Sequence, residues 1–306
     1  MSPGIALHDP VFLRYVIIIL CSLAVGGAAL AVIEFGFKKH LGQVWSTYRS
    51  WLLIAPIGLV ALLGGRLVTI AGIALLSIVA FAEFARASGF LRNRPIIVVG
   101  TCGIVATAAA SVVSYAFFTA TALAVIGIIL VLPVLRNIAR GELPRTALAT
   151  VAFVYLGWMF QHLALFTNLP HACGLLIYVI FATEVCDIAA FTCGRLFGRH
   201  RLRSEISPAK TWEGAFGAFA CAMLLPWLLR FSFPEFSTAQ LIGAGVIVGI
   251  GGQLGDLSIS FVKRELGTKD FGTLIPGHGG VLDRIDSLIY VAPLFMHLAT
   301  HGNELR

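Results

Sequence analysis

Apolar segments of bilayer length follow one another along almost the whole chain, and this pattern restricts the fold more than any other feature. A helix that crosses a bilayer needs about 20 apolar residues. Because 58% of the residues are hydrophobic and only 12% are charged, the composition lies outside the range of soluble domains. The sequence therefore predicts an all-α, polytopic integral membrane protein with about ten transmembrane helices. The predicted segments are 13–34, 51–64, 66–86, 95–113, 116–135, 146–167, 171–193, 213–231, 239–262 and 285–300. Segments 51–64 and 285–300 are short for a span.

The basic residues favour one face of the membrane. If successive loops alternate between the two faces, 18 of the 22 lysines and arginines lie on the same face. Cytoplasmic loops carry such an excess, so the five basic loops are expected to be cytoplasmic and both termini external. Membrane topology then accounts for most of the net charge of +7. The chain is therefore not expected to bind nucleic acid.

Ionisable side chains divide the chain into two parts. Residues 1–170 carry few polar groups inside their predicted helices, with Glu83 the main one, and this part is expected to be scaffold and lipid-facing surface. Residues 171–306 hold many more carboxylates in or near apolar segments, and such groups at membrane depth cost about 2.5–3.5 kcal/mol each. These carboxylates are Glu184, Asp187, Glu213, Asp256, Asp270, Asp283 and Asp286. The functional site is therefore predicted within residues 171–306.

Three aspartates are expected to converge near the end of the chain. Asp256 lies in a glycine-rich helix seven residues before Lys263, and Asp283 and Asp286 are one helical turn apart. Three carboxylates at a low-dielectric surface would repel one another unless a divalent cation neutralised them, and hard oxygen ligands suit Mg²⁺. Other roles stay open. Asp256 could pair with an arginine or relay protons, Asp283 could cap a helix, and Asp286 could complement the helix dipole.

A glycine-rich segment, PGHGG at residues 276–280, lies between these aspartates. Its three glycines allow positive φ and a close backbone approach, as phosphate-binding loops need. The basic groups around it would suit a nucleotide triphosphate. These groups are Lys263, Arg264, Lys269 and Arg284. Two alternatives stay open: His278 makes only a local hydrogen bond, and the basic groups only set the membrane topology.

A second basic segment, residues 194–212, is expected on the same face of the membrane, where it can meet the first over one cavity. Thr211 and Glu213 have the side chains expected at the start of a helix. Lys210 precedes them, and a lysine at the positive end of a helix favours an anion nearby.

Taken together, these motifs resemble those of the phosphatidate cytidylyltransferases, also called CDP-diglyceride synthases. The motifs are Ser260-x-x-Lys263-Arg264-x4-Lys269-Asp270, then Pro276-Gly277-His278-Gly279-Gly280-x-x-Asp283-Arg284-x-Asp286, and GRxFGR with SPxKTxEG within residues 187–214. The similar region extends over residues 51–306, divided into the scaffold of 51–170 and a catalytic region of 171–306. Residues 1–50, with an additional first helix and a cytoplasmic loop, lie outside it.

The resemblance implies an Mg²⁺-dependent transfer of a cytidylyl group from CTP to phosphatidic acid or a related lipid phosphate. Pyrophosphate and CDP-diacylglycerol would be the products, formed at the cytoplasmic face of an inner or cell membrane among its lipids. A second metal ion and a homodimer are compatible with it. The implied catalytic residues are Asp256, Asp283, Lys263 and Lys210. The implied metal ligands are Asp256, Asp283, Asp286 and Asp187. The implied substrate-binding residues are Arg264, Lys269, Gly277, His278, Gly279, Gly280, Arg284, Ser207 and Ser260.

Two positions depart from the family pattern. Ile259 stands where the family usually has an acidic residue, and Phe191 where it usually has an aromatic hydroxyl. A cytidylyltransferase that acts on another lipid phosphate is therefore one alternative. A CTP-dependent lipid kinase similar to the dolichol and phytol kinases is another, and it would need a lipid alcohol as acceptor. A transporter should show two related halves with interrupted helices, and the sequence contains no evident repeat of this kind. A silent paralogue with a scaffolding role is the last alternative, and the intact carboxylates argue against it.

Overall fold

The computed structural model of the protein describes residues 9–36, 42–138, 140–274 and 279–301. Within these ranges the chain is almost entirely helical. The helices are α1 Pro10–Ala31, α2 Gly42–Leu63, α3 Gly65–Ala87, α4 Arg94–Val113, α5 Tyr115–Leu135, α6 Leu143–Ala152, α7 His162–Leu165, α8 Ala172–Phe197, α9 Trp212–Leu228, α10 Thr238–Val246, α11 Gly252–Glu265, α12 Leu282–Ile285 and α13 Leu288–His301. The strands β1 Arg201–Arg203 and β2 Ser207–Thr211 form an antiparallel hairpin. One stretch of π-helix leads from α6 towards α7, and another joins α10 to α11.

Eight helical segments of the described residues are long and apolar enough to cross a membrane, and two shorter apolar helices accompany them. These segments coincide with the ten predicted ones, so the all-α membrane fold is confirmed. The predicted length of segment 51–64 was wrong. Its helix, α2, has 22 residues because the more polar residues from Gly42 onwards continue the same helix. The last helix, α13, has 14 residues and is short, as predicted.

Side-chain caps fix where several helices begin. Ser114 accepts a hydrogen bond from the Phe117 amide (3.1 Å) at the start of α5, and Ser237 forms a capping box before α10. Thr211 accepts a hydrogen bond from the Gly214 amide (3.1 Å) and begins α9, as predicted. Each cap satisfies a backbone donor that the helix itself leaves unpaired.

Aromatic packing joins the helices of the C-terminal half. The Tyr178 ring of α8 lies 4.7 Å from the Phe233 ring and 5.5 Å from the Phe295 ring of α13. The first helix is attached to the same cluster, because the buried Tyr15 hydroxyl bonds the Ser232 hydroxyl at 2.6 Å. Aromatic pairs of this kind add about 0.5–1.5 kcal/mol beyond the burial of their area.

The two basic segments of the sequence meet in the structure. The β1–β2 hairpin lies between α8 and α9 in the chain. Near the end of α11, the Arg264 Nε atom donates a hydrogen bond to the Ile206 carbonyl oxygen in this hairpin, at 3.2 Å. This contact joins residues 58 positions apart. The prediction that these segments come together is therefore confirmed, while Gly277 and His278 lie outside the described residues.

Candidate active site

Lys210 and Asp256 form the first ion pair of the site. The hairpin ends immediately before α9 and directs the Lys210 ammonium to the Asp256 carboxylate on α11, with 2.5 Å between Nζ and Oδ2. The other carboxylate oxygen accepts a hydrogen bond from the Ser260 hydroxyl, one turn further along α11, at 3.1 Å. About a quarter to a third of each charged side chain stays exposed, at 26% for Lys210 and 29% for Asp256. The pair therefore lies at an accessible surface.

Lys263 and Asp283 form the second ion pair, and this one is more buried. The Lys263 Nζ atom lies 3.0 Å from the Asp283 Oδ1 atom, and the Asp283 side chain is only 4% exposed. The Asp283 Oδ2 atom accepts backbone amides from Phe271 (3.0 Å) and Gly280 (2.9 Å). Asp283 therefore ties α11 to Phe271, which precedes the glycine-rich segment, and to Gly280, which ends it.

Asp283 is not the capping residue of a helix, so the capping alternative for it was wrong. Helix α12 begins at Leu282 after Val281, so Asp283 lies inside the first turn, and the last helix, α13, begins only at Leu288. The chain turns at Asp286 and Ser287, between these two helices. As a result, Asp283 and Asp286 do not begin one continuous helix.

Asp286 lies instead with the two other aspartates of the predicted site. Burial raises the pKa of the Asp286 carboxyl well above its ordinary value, and the Asp256 and Asp187 carboxylates raise it further, against Lys263 and Arg284. The neighbouring Ser287 hydroxyl donates to Asp187 Oδ2 at 3.1 Å. These contacts require α11 to approach closely, and Gly255 permits it, since a Cβ there would collide with the Asp286 carbonyl oxygen.

Glu83 of the scaffold helix α3 holds the other side of the glycine-rich segment. Its carboxylate is 3% exposed and accepts the backbone amides of Val281 (3.1 Å) and Leu282 (2.9 Å). A Cβ at Gly280 would collide with this carboxylate, so a larger residue there would displace Glu83 from its position. The adjacent Phe84 ring stacks on Phe271 with 5.4 Å between centroids. The sequence marked Glu83 only as an ionisable group at membrane depth and did not connect it with the site.

The remaining predicted residues differ in how they are placed. Arg284 is partly buried, and its Nε atom has no hydrogen-bond partner among the residues that the structure describes. Lys269 is exposed, and Ser207 begins β2, where it pairs with Arg203. Gly279 has a φ of 81°, which is the positive φ predicted for this segment.

The departures from the family pattern have different surroundings. Ile259 is fully buried at 0% exposure within the apolar core, where an acidic residue would need a partner. Phe191 is 65% exposed on α8, and the Arg195 guanidinium lies 5.9 Å from the centre of its ring. Neither side chain has a hydrogen-bond donor or acceptor, so neither bonds to the two ion pairs of the site.

The carboxylates of the site suit a hard cation, although two of them are paired with lysines in the structure. In the described part of the chain, no three histidine, cysteine, aspartate or glutamate side chains are arranged to hold a metal ion. Asp256 and Asp283 each face a lysine instead. Carboxylate oxygens from Asp256, Asp286 and Asp187 are nevertheless the ligand type that Mg²⁺ prefers. Mg²⁺ binding by Asp256 and Asp283 stays a prediction.

Comparison with known proteins adds independent findings. Residues 45–301 match the model of the cytidylyltransferase family, so the match begins after α1. A protein of Escherichia coli (strain K12), named Uncharacterized protein YnbB, is 37% identical over 164 residues, or 50% of this chain and 55% of the relative.

Two enzymes named phosphatidate cytidylyltransferase are also similar. The one from Staphylococcus haemolyticus (strain JCSC1435) is 39% identical over 149 residues, and the one from Staphylococcus aureus (strain COL) is 38% identical over 149 residues. Each alignment covers 48% of this chain and 55% of the relative. The chain thus spans about half the length of the curated relatives it matches.

Proposed function

This chain belongs to the cytidylyltransferase family, and from that premise we propose that it is a membrane-bound phosphatidate cytidylyltransferase. It transfers the cytidylyl group of CTP to the phosphate of phosphatidic acid and gives CDP-diacylglycerol and pyrophosphate. One observation carries the proposal. The Lys210–Asp256 pair joins the two distant motif segments, and Lys263, which pairs with Asp283, lies on the same helix as Asp256.

The reaction requires alignment and charge neutralisation more than a protein nucleophile. A phosphate oxygen of phosphatidic acid attacks the α-phosphorus of CTP, and the bond from that phosphorus to the oxygen bridging the β-phosphate breaks. The electron pair of that bond leaves with pyrophosphate. Fixed positive charges around the phosphates stabilise the charge that develops in this transition state. Lys210, Lys263, Arg264 and Arg284 are the described groups positioned to supply it.

The lysine pairs suggest how substrate binding prepares the site. Lys210 and Lys263 pair with Asp256 and Asp283 in the structure. Phosphate oxygens compete for the same ammonium groups, since charge-assisted hydrogen bonds to phosphate are strong. Asp256 and Asp283 would then be free to hold a cation, which would supply charge neutralisation. The unpartnered Arg284 Nε atom is a further donor for the phosphates.

Mg²⁺ is the cofactor that we propose for this site, with a second metal ion as an alternative. Asp256 and Asp283 would hold it, with Asp286 and Asp187 in support. When bound, the cation supplies charge stabilisation to the transferring phosphoryl oxygens. Asp286 is buried at one edge of the site, where it interacts with Asp256 and Asp187.

The site is proposed to face the cytoplasm of a cell or inner membrane. The predicted topology places 18 of the 22 basic residues on the face that would carry the site, which is the bias of cytoplasmic loops. CTP reaches this face directly, and the lipid phosphate reaches it from the surrounding leaflet. The substrates CTP and phosphatidic acid enter this proposal from the resemblance, and a homodimer remains an expectation.

Position-specific radiolabels of CTP test the reaction type. Purified protein in uncharged detergent is incubated with Mg²⁺ and CTP that carries ³²P at either the α or the γ position. The acceptors are phosphatidic acid, other lipid phosphates and lipid alcohols. We expect lipid-bound label only from α-labelled CTP and only with a lipid phosphate. Lipid-bound label from γ-labelled CTP with an alcohol would instead identify a lipid kinase. Asp256→Asn is the inactive control.

A second acceptor class has one structural argument in its favour. Phe191 replaces the aromatic hydroxyl of the family pattern on the exposed face of α8, close to the proposed metal ligand Asp187 on the same helix. The loss of a hydroxyl there changes the hydrogen bonds offered to a bound lipid. A lipid phosphate other than phosphatidic acid is therefore the alternative acceptor, and the acceptor panel separates the two directly.

A further inference from the structure

A cavity rich in arginine lies outside the candidate active site. It has a volume of about 560 Å³ and opens between the α3–α4 connection and the α5–α6 connection. Its lining residues are Gly89, Arg92, Asn93, Arg94, Pro95, Arg136, Glu142 and Arg145. Pockets of about 300–1,000 Å³ accommodate ligands of ordinary small-molecule size. The cavity therefore has room for a phosphorylated headgroup.

A hydrogen-bonded network spans the cavity and holds its two sides together. The Arg136 Nη1 atom donates to the Asn93 side-chain oxygen at 3.1 Å, and the Asn93 amide donates to Glu142 at 2.9 Å. The other oxygen of the buried Glu142 pairs with Arg145 at 3.0 Å. Residues from both connections are thereby fixed relative to one another before any ligand binds.

The cavity keeps a large excess of positive charge. Four arginines line it against one carboxylate, and that carboxylate is already paired with Arg145. Arg92 and Arg94 are exposed, and neither makes a hydrogen bond or ion pair with a residue in the described ranges. A concave surface with one sign of charge concentrates counter-ions, and guanidinium groups bind phosphate oxygens in pairs. Membrane topology explains the sign of these charges but does not explain their convergence on one cavity.

The surroundings of the cavity favour a ligand that is partly apolar. Leu91 is 38% exposed beside it, and Leu135 and Leu143, at the facing ends of α5 and α6, are 74% and 80% exposed. Leu135 and Leu143 lie at the ends of helices long enough to cross the membrane, and Leu91 lies in the short turn between two others. Basic pockets in this position, between transmembrane helices at the interface, suit lipid headgroups.

We propose that this cavity binds the phosphate headgroup of an anionic phospholipid, at a site separate from the one that would bind the reacting substrates. The arginines hold the phosphate, and the acyl chains lie along the exposed leucines. The cavity lies near the candidate active site. Phe90, next to the lining residue Gly89, packs on Phe84, and Phe84 stacks on Phe271, just before the glycine-rich segment. The lipid would thus bind next to a helix that contacts that segment.

Lipid-dependent thermal stability tests the proposal. Protein in uncharged detergent is titrated with dihexanoylphosphatidylglycerol, and the apparent Kd is obtained from the rise in Tm, since a ligand that binds only the folded state stabilises it. The double variant Arg92→Gln/Arg94→Gln should bind at least about tenfold more weakly, because each lost charge-assisted bond weakens binding by about that factor. Its Tm without lipid should match that of the unaltered protein, because neither side chain has a partner to lose.

A matched control removes two arginines elsewhere. Arg49→Gln/Arg140→Gln takes the same charge from the same predicted membrane face but leaves the cavity lining intact. Its apparent Kd should stay within twofold of the unaltered protein. An equal loss in both double variants would show a general charge effect and overturn the proposal. An unchanged Kd in Arg92→Gln/Arg94→Gln would also overturn it.

Two further arms identify the ligand chemistry. Dihexanoylphosphatidylcholine, which is zwitterionic, should give a much smaller rise in Tm, and water-soluble glycerol phosphate should give little. An equal effect of glycerol phosphate would assign the cavity to free phosphate esters and overturn its assignment to lipid. If Arg92→Gln/Arg94→Gln does not fold, Arg92→Lys/Arg94→Lys keeps the charges but loses the paired donors. That variant should bind the anionic lipid with intermediate strength.

Discussion

Replacing Glu83 with glutamine should reduce kcat/KM for CTP, although this residue lies in the scaffold helix. The carboxylate accepts hydrogen bonds from the backbone amides of Val281 and Leu282, which directly follow the glycine-rich segment. Glutamine can accept only one of them and turns an NH2 group towards the other. A hydrogen bond to a charged group contributes about 1.5–3 kcal/mol. Since 1.36 kcal/mol corresponds to a factor of ten, the expected loss is about 10- to 100-fold.

Initial rates with α-labelled CTP, measured over ranges of both substrates, provide the assay. If Glu83 positions a nucleotide-binding segment, the KM for CTP rises while the KM for the lipid phosphate changes little. A simple loss of folded protein would instead lower kcat alone. Ser77→Ala is the control, because Ser77 is buried on the same helix and its hydroxyl has no partner among the described residues. Glu83→Gln kinetics within twofold of the unaltered protein would refute the reasoning.

A double-mutant cycle tests the contact itself. A side chain at Gly280 would collide with the Glu83 carboxylate, so Gly280→Ala should be strongly damaging when Glu83 is present. Glu83→Ala removes the colliding atoms, so adding Gly280→Ala to it should cost little more. Residues in contact show such non-additive effects. Losses that simply multiply would mean that the two residues act independently.

Three further predictions concern the two ion pairs and the membrane orientation. Lys210→Met should raise the KM for CTP without changing membrane insertion, and unchanged kinetics would leave Lys210 with a topological role only. Asp256→Asn and Asp283→Asn should each reduce turnover by about 10³-fold through loss of several kcal/mol of metal stabilisation. The double change should cost little more, because residues that act on one ion are non-additive, and multiplied losses would contradict a shared metal. Cysteines introduced at His200 and Asp270 should resist an impermeant reagent in intact cells, and external labelling would reverse the predicted orientation.

The membrane fold was predictable because its signal is local. A span is defined by the composition of about 20 consecutive residues, which the sequence displays directly. The start of α9 at Thr211 was predictable for the same reason, since a cap depends on a few neighbouring residues. The length of α2 was missed because polar residues such as Gln43 and Ser46 continue its helix beyond the apolar segment.

The partners of the site residues were harder to predict because they are distant in sequence. Glu83 and Leu282 are 199 positions apart, and no spacing rule connects them. The one available signal was that an ionisable group at membrane depth needs a partner. That signal predicts that Glu83 has a partner but does not identify it. Its partners are backbone amides, and no charged residue in the sequence marks the position of a backbone amide.

Asp283 and Asp286 show why a correct choice of residues can still give an incorrect geometry. Their spacing places both carboxylates on one face only if a single helix continues through both positions. The chain turns after α12 instead, where the backbone at Gly255 packs against the Asp286 carbonyl oxygen. The two carboxylates therefore have different closest partners, although the Lys263 charge acts on both. Asp283 joins Lys263 and the glycine-rich segment, and Asp286 joins the edge of the site with Asp256 and Asp187. The tertiary contact of α11 decided this outcome, and a spacing rule cannot include a contact with another helix.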